Sequence, residues 1–190
     1  MDAQSAVDGI RSQGRARVLT FLGFSDAGYE NPSQVRETLL TELGRFDPAD
    51  TLVCGGATED GIGMVYPLAQ RLGFRTAGIV SSLAGREGVR ISPACAAVFM
   101  VDDDRWGGRQ ADGRLSPTSQ AMVQASDLMI SIGGGEIARD ELEEGRRLGR
   151  TVRFHAADMD HARAAAKAVK AGKPPPTTFG GDAQTLFGDQ

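Results

Sequence analysis

Two glycine-rich stretches hold the residues whose types and spacing suit chemistry: CGGATEDGIGM, Cys54 to Met64, and IGGGEIARDEL, Ile132 to Leu142. Glycine permits positive φ and lets a ligand approach the main chain without meeting a Cβ, while the first free N–H groups of a helix attract anions. Gly55, Gly56, Gly61, Gly63 and Met64 are therefore read as ligand-binding residues, together with Gly133, Gly134, Gly135, Glu136, Ile137 and Ala138. Glu141 falls about one helical turn further on, where its carboxylate can look back toward the same mouth. A polar loop, GFSDAGYENP, adds Gly23 and Ser25. The first stretch has neither G-x-G-x-x-G spacing nor a following G-K-[ST], so it is neither a dinucleotide fingerprint nor a P-loop. Taken singly, each cluster also fits a strand-to-helix turn that needs glycine for geometry alone. Glu141 alone also fits an exposed helix acid beside Arg139 or Arg146.

These residues need elements to bring them to one place. Short apolar runs at 18–23, 51–56, 75–81, 96–102, 127–133 and 151–157 alternate with segments of helical period at 32–46, 64–72, 118–126, 138–149 and 160–171. That alternation predicts an α/β fold, a Rossmann-like three-layer sandwich. Its mostly parallel sheet has about six or seven strands, with helices on both faces. In such a sheet the loops at the carboxyl ends of the strands surround the ligand crevice, so both glycine turns and the 23–32 loop share one edge. The loop DDDRWGGRQADGR overhangs that edge. The organisation expected is a flexible N-terminus over 1–15, a single domain over 16–172 and, after three prolines, an extended C-terminal tail over 173–190.

The composition narrows the partners. A net charge of -4, with 21 basic residues scattered among 25 acids, gives no basic field for duplex nucleic acid. Cys54 and Cys95 have no paired spacing, which fits a reducing compartment and not a disulfide framework or a zinc site. No apolar run reaches the length of a membrane span, and the first seventeen residues are polar, so a cytoplasmic location is expected. His155 and His161 fit structural or exposed roles. Consecutive Asp102, Asp103 and Asp104 point to alternate faces, so no metal is assigned.

At the glycine stretches the chain resembles the SLOG superfamily, a Rossmann-like group that includes the LOG phosphoribohydrolases called lysine-decarboxylase-like, molybdenum-cofactor carriers and nucleotide-sensing domains. GGATEDGIGM is similar to the family's GG-x-x-G-L-M element. Gly134 to Glu141, GGEIARDE, is similar to its P-G-G-x-G-T-x-x-E element, with Glu141 as the terminal acid. The resemblance covers roughly residues 16 to 158. It implies a homodimer or larger assembly and a nucleotide or ADP-ribose-like ligand. The family's Arg-Lys pair is missing, for Thr118 and Ser119 stand at its positions. A hydroxyl there can bond a phosphate or ribose oxygen but offers no cation. The first motif is also longer and carries Glu59 and Asp60, which disfavours a triphosphate.

Three functions follow as expectations. The first is binding of a nucleotide or nucleotide-derived molecule by a sensor or carrier without the standard LOG activity. The second is hydrolysis of the N-glycosidic bond of a ribonucleoside 5'-monophosphate, with Glu141 catalytic and Arg109 or Arg114 replacing the lost cation. The third is a molybdenum-cofactor carrier-like role. Whether any catalysis survives without the Arg-Lys pair stays open at this level, and no cofactor is assigned with certainty.

Overall fold

The uniformly apolar runs form a sheet buried on both sides, as parallel strands require. The structure is a computed structural model and describes residues 1–188. Six strands are found among those residues: β1 (Arg17–Gly23), β2 (Thr51–Cys54), β3 (Arg75–Ser81), β4 (Ala97–Val101), β5 (Leu128–Ile132) and β6 (Thr151–His155). They lie in the order β4-β3-β2-β1-β5-β6, and every neighbouring pair is parallel. The chain steps outward from β1 to β4 and then returns to β5. The order therefore reverses between β1 and β5, the switch point at which open α/β sheets place their ligand crevice.

Helices cover both faces: α1 (Ala3–Arg11), α2 (Pro32–Leu43), α3 (Val65–Arg71), α4 (Leu83–Arg86), α5 (Pro117–Ala125), α6 (Glu136–Arg147), α7 (His161–Lys170) and α8 (Gly181–Phe187). Alternate strand residues serve opposite cores. Leu19, Phe21 and Ile130 meet Leu39 of α2 and Leu68 of α3, whereas Val18 and Met129 meet Ile10 of α1, Met122 of α5 and Leu142 of α6. Cys54 and Cys95 are free and buried. No helix among the described residues is long and apolar enough to cross a membrane.

Both chain ends differ from expectation. Residues 1–15 were expected to be flexible, yet they contain α1. Asp2 accepts the Ser5 N–H at 2.7 Å to cap it, Ala6 and Ile10 bury against α5, and Arg11 holds Asp127 at 2.8 Å. The tail 173–190 is extended only as far as Gly180. Beyond it α8 folds back on α6, with Phe187 2% exposed beside Phe154 and under the Arg146 guanidinium. The last two residues of the expected tail lie outside the described residues. Both ends join the core layer of α5 and α6, because that layer offers apolar surface the central segment alone does not cover.

Candidate functional site

Glycine at the end of β1 begins the edge where the anticipated residues meet. A Cβ on Gly23 would fall 2.1 Å from the Tyr29 hydroxyl, which donates to the Ile132 carbonyl at 2.8 Å and so ties the loop after β1 to the end of β5. Next along, Phe24 is 6% exposed and turns its ring into the switch point. It adjoins both glycine corners. A Cβ on Gly61 would meet the Phe24 carbonyl at 2.1 Å and the Ser25 carbonyl at 2.4 Å, and a Cβ on Gly133 would meet the Phe24 ring at 2.5 Å. The two corners thus share one edge, and a side chain fills the space between them.

Most of the first corner is used by the chain's own packing. Gly61 has φ +58, the Ile62 N–H donates to the Phe24 carbonyl at 2.7 Å, and Gly63 lies against the Thr58 carbonyl. Gly55 packs between the Phe21 carbonyl and the Tyr66 hydroxyl. Only Gly56 faces open space, with nothing within 4 Å of where a Cβ would be. Met64 borders a groove of about 280 Å³ between α2 and α3, on the outer surface. Glu59 and Asp60 pair with the exposed Arg90 at 3.1 and 3.6 Å, so their charge faces water.

The second corner divides in the same way. Gly133 has φ +57 and Gly134 φ +127, and both are buried. The Gly134 carbonyl accepts the Ala183 N–H of α8 at 3.0 Å, and Gly181 packs on that same carbonyl. The C-terminal segment therefore lies across this corner, pinned upstream by Phe179 stacked on His161 at 3.8 Å. Gly135 remains open. It is the N-cap of α6 with φ -85, and no side chain caps the amides that follow. Glu136 is exposed and 3.5 Å from Arg139, Ile137 is 37% exposed and Ala138 is buried.

Glu141 and the α5 residues do come together, but away from solvent. The Ser119 hydroxyl donates to Glu141 Oε1 at 2.6 Å and accepts the Gly108 N–H at 2.8 Å, so the loop after β4 closes over the acid. Glu141 is 4% exposed. Burial pushes its carboxyl up to about 8, against the lowering effect of Ser119 and with a further push from Asp140. The loop is locked on the outside by Arg109, whose N–H reaches Asp140 at 3.0 Å and whose guanidinium pairs with Glu143 at 2.9 Å. Arg114 pairs with Asp112 at the exposed tip. Neither arginine is directed at Glu141, so the cation expected to replace the missing pair is not supplied in this arrangement.

Residues outside the anticipated set also gather at this edge. A cavity of about 150 Å³ is bordered by Asn31, Gln34 and Thr38 of the α2 start and by Ile132, Ala157 and Asp158 at the ends of the strands. That is less than the roughly 300–1,000 Å³ usual for small-molecule sites. None of the anticipated site residues borders it. Asn31-Pro32 announced the helix start in the sequence, but nothing signalled the hollow behind it. Thr118 is 4% exposed and gives its N–H to Asp103, a residue sequence reasoning set aside with its neighbours. His155 meets the buried Glu42 at 3.0 Å, a structural tie between β6 and α2.

No protein-family model matches the chain. No curated protein matches it either. Among solved structures it is similar to the molybdenum cofactor carrier protein of Chlamydomonas reinhardtii in two determinations. One is 14% identical with a TM-score of 0.54, over 87% of this chain and 91% of that one. The other is 17% identical with a TM-score of 0.52, over 83% and 99%. A structural-genomics target, TM1055, is 19% identical over 72% of each chain with a TM-score of 0.49. At these identities the likeness to the carrier structures is one of fold, and the chain shares their Rossmann-like α/β architecture.

Proposed function

We propose that this chain binds a small anion-bearing molecule, a nucleotide or nucleotide-derived compound, at the start of α6, on the sheet edge that also carries the open Gly56, as a sensor or carrier without the standard LOG activity. The observation that carries the reading is the start of α6 itself: a twelve-residue helix that opens beside the switch point, at a glycine facing open space, with no side chain on its first amides. Uncapped amides and the helix dipole together favour a phosphate there. The carrier role of the Chlamydomonas protein, taken with the shared fold, makes the molybdenum cofactor one candidate beside AMP, NAD and ADP-ribose. Glu141 counts against hydrolysis, since a general acid or base must reach substrate and this carboxyl is covered by the loop after β4.

Thermal unfolding in the presence of AMP, ADP-ribose, NAD and cyclic nucleotides tests this directly. A cognate ligand at a hundredfold excess over its Kd adds about 2.7 kcal/mol. An absorbance spectrum of freshly purified protein tests for a carried cofactor. No stabilisation by any of these compounds and a featureless spectrum together end the reading.

A further inference from the structure

The outer surface of α2 and α3 carries a basic groove on an acidic protein. Pro32 and Arg36 of α2 face Met64, Pro67, Leu68 and Arg71 across a hollow of about 280 Å³. Leu68 is buried at its floor, and Met64 lies one turn earlier on the same side. The apolar strip continues past the groove. Leu40, one turn beyond Arg36, is 36% exposed, and Leu72, one turn beyond Leu68, is 43% exposed.

No carboxylate lines the groove among the described residues, although the chain as a whole has a net charge of -4. Arg71 donates from Nε to the Pro67 carbonyl at 3.1 Å, which folds its side chain back along α3 and leaves both terminal nitrogens without a partner among the described residues. Arg36 is exposed. Neighbouring acids are engaged elsewhere: Glu42 is buried against Arg153 and His155, and Glu59 and Asp60 hold Arg90. Glu37 follows Arg36 directly and so points about 100° further round the helix. Two guanidiniums over an apolar floor suit carboxylates that bring apolar side chains with them, since each guanidinium can hold a carboxylate through two parallel bonds. Methionine and arginine are also enriched where proteins meet.

We propose that this groove docks an acidic amphipathic helix of a partner protein. Its shape selects a peptide segment over a small molecule, because small-molecule sites enclose most of their ligand and this groove lies open along the surface. α3 has seven residues, so its wall is about 10 Å long. That length takes two apolar side chains one turn apart on an incoming helix. They seat between Met64 and Leu68 and on toward Leu40 and Leu72, while flanking acids of the partner pair with Arg36 and Arg71. α2 and α3 pack on one core and α6 on the other, so docking here and binding at the start of α6 stand or fall separately.

The test is fluorescence polarisation on the full chain with a labelled helical peptide of glutamate and alanine carrying leucines one turn apart. A second peptide has lysine in place of every glutamate. Saturable binding of the acidic peptide alone is expected, weakening as salt is raised. Arg36→Glu and Arg71→Glu should each weaken it at least about tenfold, and the double variant should prefer the lysine peptide. Gly135→Asp, at the start of α6, should leave peptide binding unchanged. No saturable binding to the wild type, or equal binding to the double variant, overturns the proposal. So does displacement of the peptide by free glutamate at the same concentration, which marks a carboxylate site and not a docking groove. A wild type that sediments as a larger assembly and falls apart on Arg36→Glu also overturns it, since a second copy of the chain then covers the groove.

Discussion

The corner after β2 and the corner after β5 look alike in sequence and are built differently. The first is sealed by the loop after β1, whose Phe24 and Ser25 carbonyls press on Gly61, and it leads through a 3₁₀ turn (Gly61–Met64) into the seven-residue α3. The second is sealed by the chain's own C-terminal segment, through Gly181 and Ala183 on Gly134, and it leads directly into the twelve-residue α6. Each retains one glycine in open space. Glycine count in a motif therefore overstates ligand contacts, since most of these glycines make room for protein backbone or for Phe24.

The sharpest break of this comparison is to put side chains on the sealed glycines. Gly61→Val adds left-handed strain to a clash with two carbonyls that have no free direction to move. It should cost about 4 kcal/mol or more, read by denaturant unfolding. A cost under about 1 kcal/mol would mean that the β1 loop is not seated on this corner at all.

Next in size is the seal of the other corner. Phe187→Ala removes the buried anchor of α8 and should cost about 3 kcal/mol. Because α8 carries Ala183, amide exchange at that N–H should accelerate by the same free energy. A stability loss without faster exchange at Ala183 would show that the segment is held by the Phe179 and His161 stack alone.

Covered and open functional groups also differ in charge. Glu141 keeps its proton up to about pH 8, where burial is the main cause, whereas in the unfolded chain it ionises near 4.5. Between those values the folded state holds more protons, so this group's contribution is complete below the lower one and is lost as pH rises through the upper one. Glu141→Gln removes the dependence. The wild type should therefore lose about 1.4 kcal/mol relative to the variant for one pH unit near neutrality. Parallel stability profiles for the two proteins would mean that the loop after β4 stands open in solution and Glu141 is hydrated.

Much of the scaffold was legible because the physics is local. β3 spans the apolar run anticipated for it, 75–81, and Asn31-Pro32 marks the start of α2 as read. α6 begins two residues earlier than anticipated, since a glycine N-cap carries no side-chain signal. α1 lies in a stretch read as polar and flexible, and its Gly9 is needed because a Cβ there would fall 2.2 Å from the Phe99 ring of β4. α8 was hidden behind three prolines and a glycine pair, and long-range burial of Phe187 decides it. For the site, residue types were legible and occupancy was not. Counting along the resembled motif set Thr118 at the position of the lost arginine, yet it is Ser119 that meets Glu141, and the closing of the loop over it through Gly108 links segments 33 residues apart. Asp103 was indistinguishable from its neighbours in a run of three acids, and only the structure shows its carboxylate taking the Thr118 N–H at the start of α5.

The smallest change in stability tests the open positions. At Gly135 the backbone has φ -85, which any residue adopts, and a Cβ would meet nothing within 4 Å. Aspartate there can accept an α6 amide and face the positive end of the helix, so Gly135→Asp should stabilise the fold by about 0.5 kcal/mol. The same carboxylate occupies the seat proposed for the ligand's anion, and binding should weaken by at least about tenfold. Gly56→Asp is the partner variant, open in the same sense but at no helix start. It should leave stability within about 0.5 kcal/mol and weaken binding only by charge. Should Gly135→Asp stabilise the protein while a bound nucleotide keeps its affinity, the anion is held elsewhere on the edge and not on the first amides of α6.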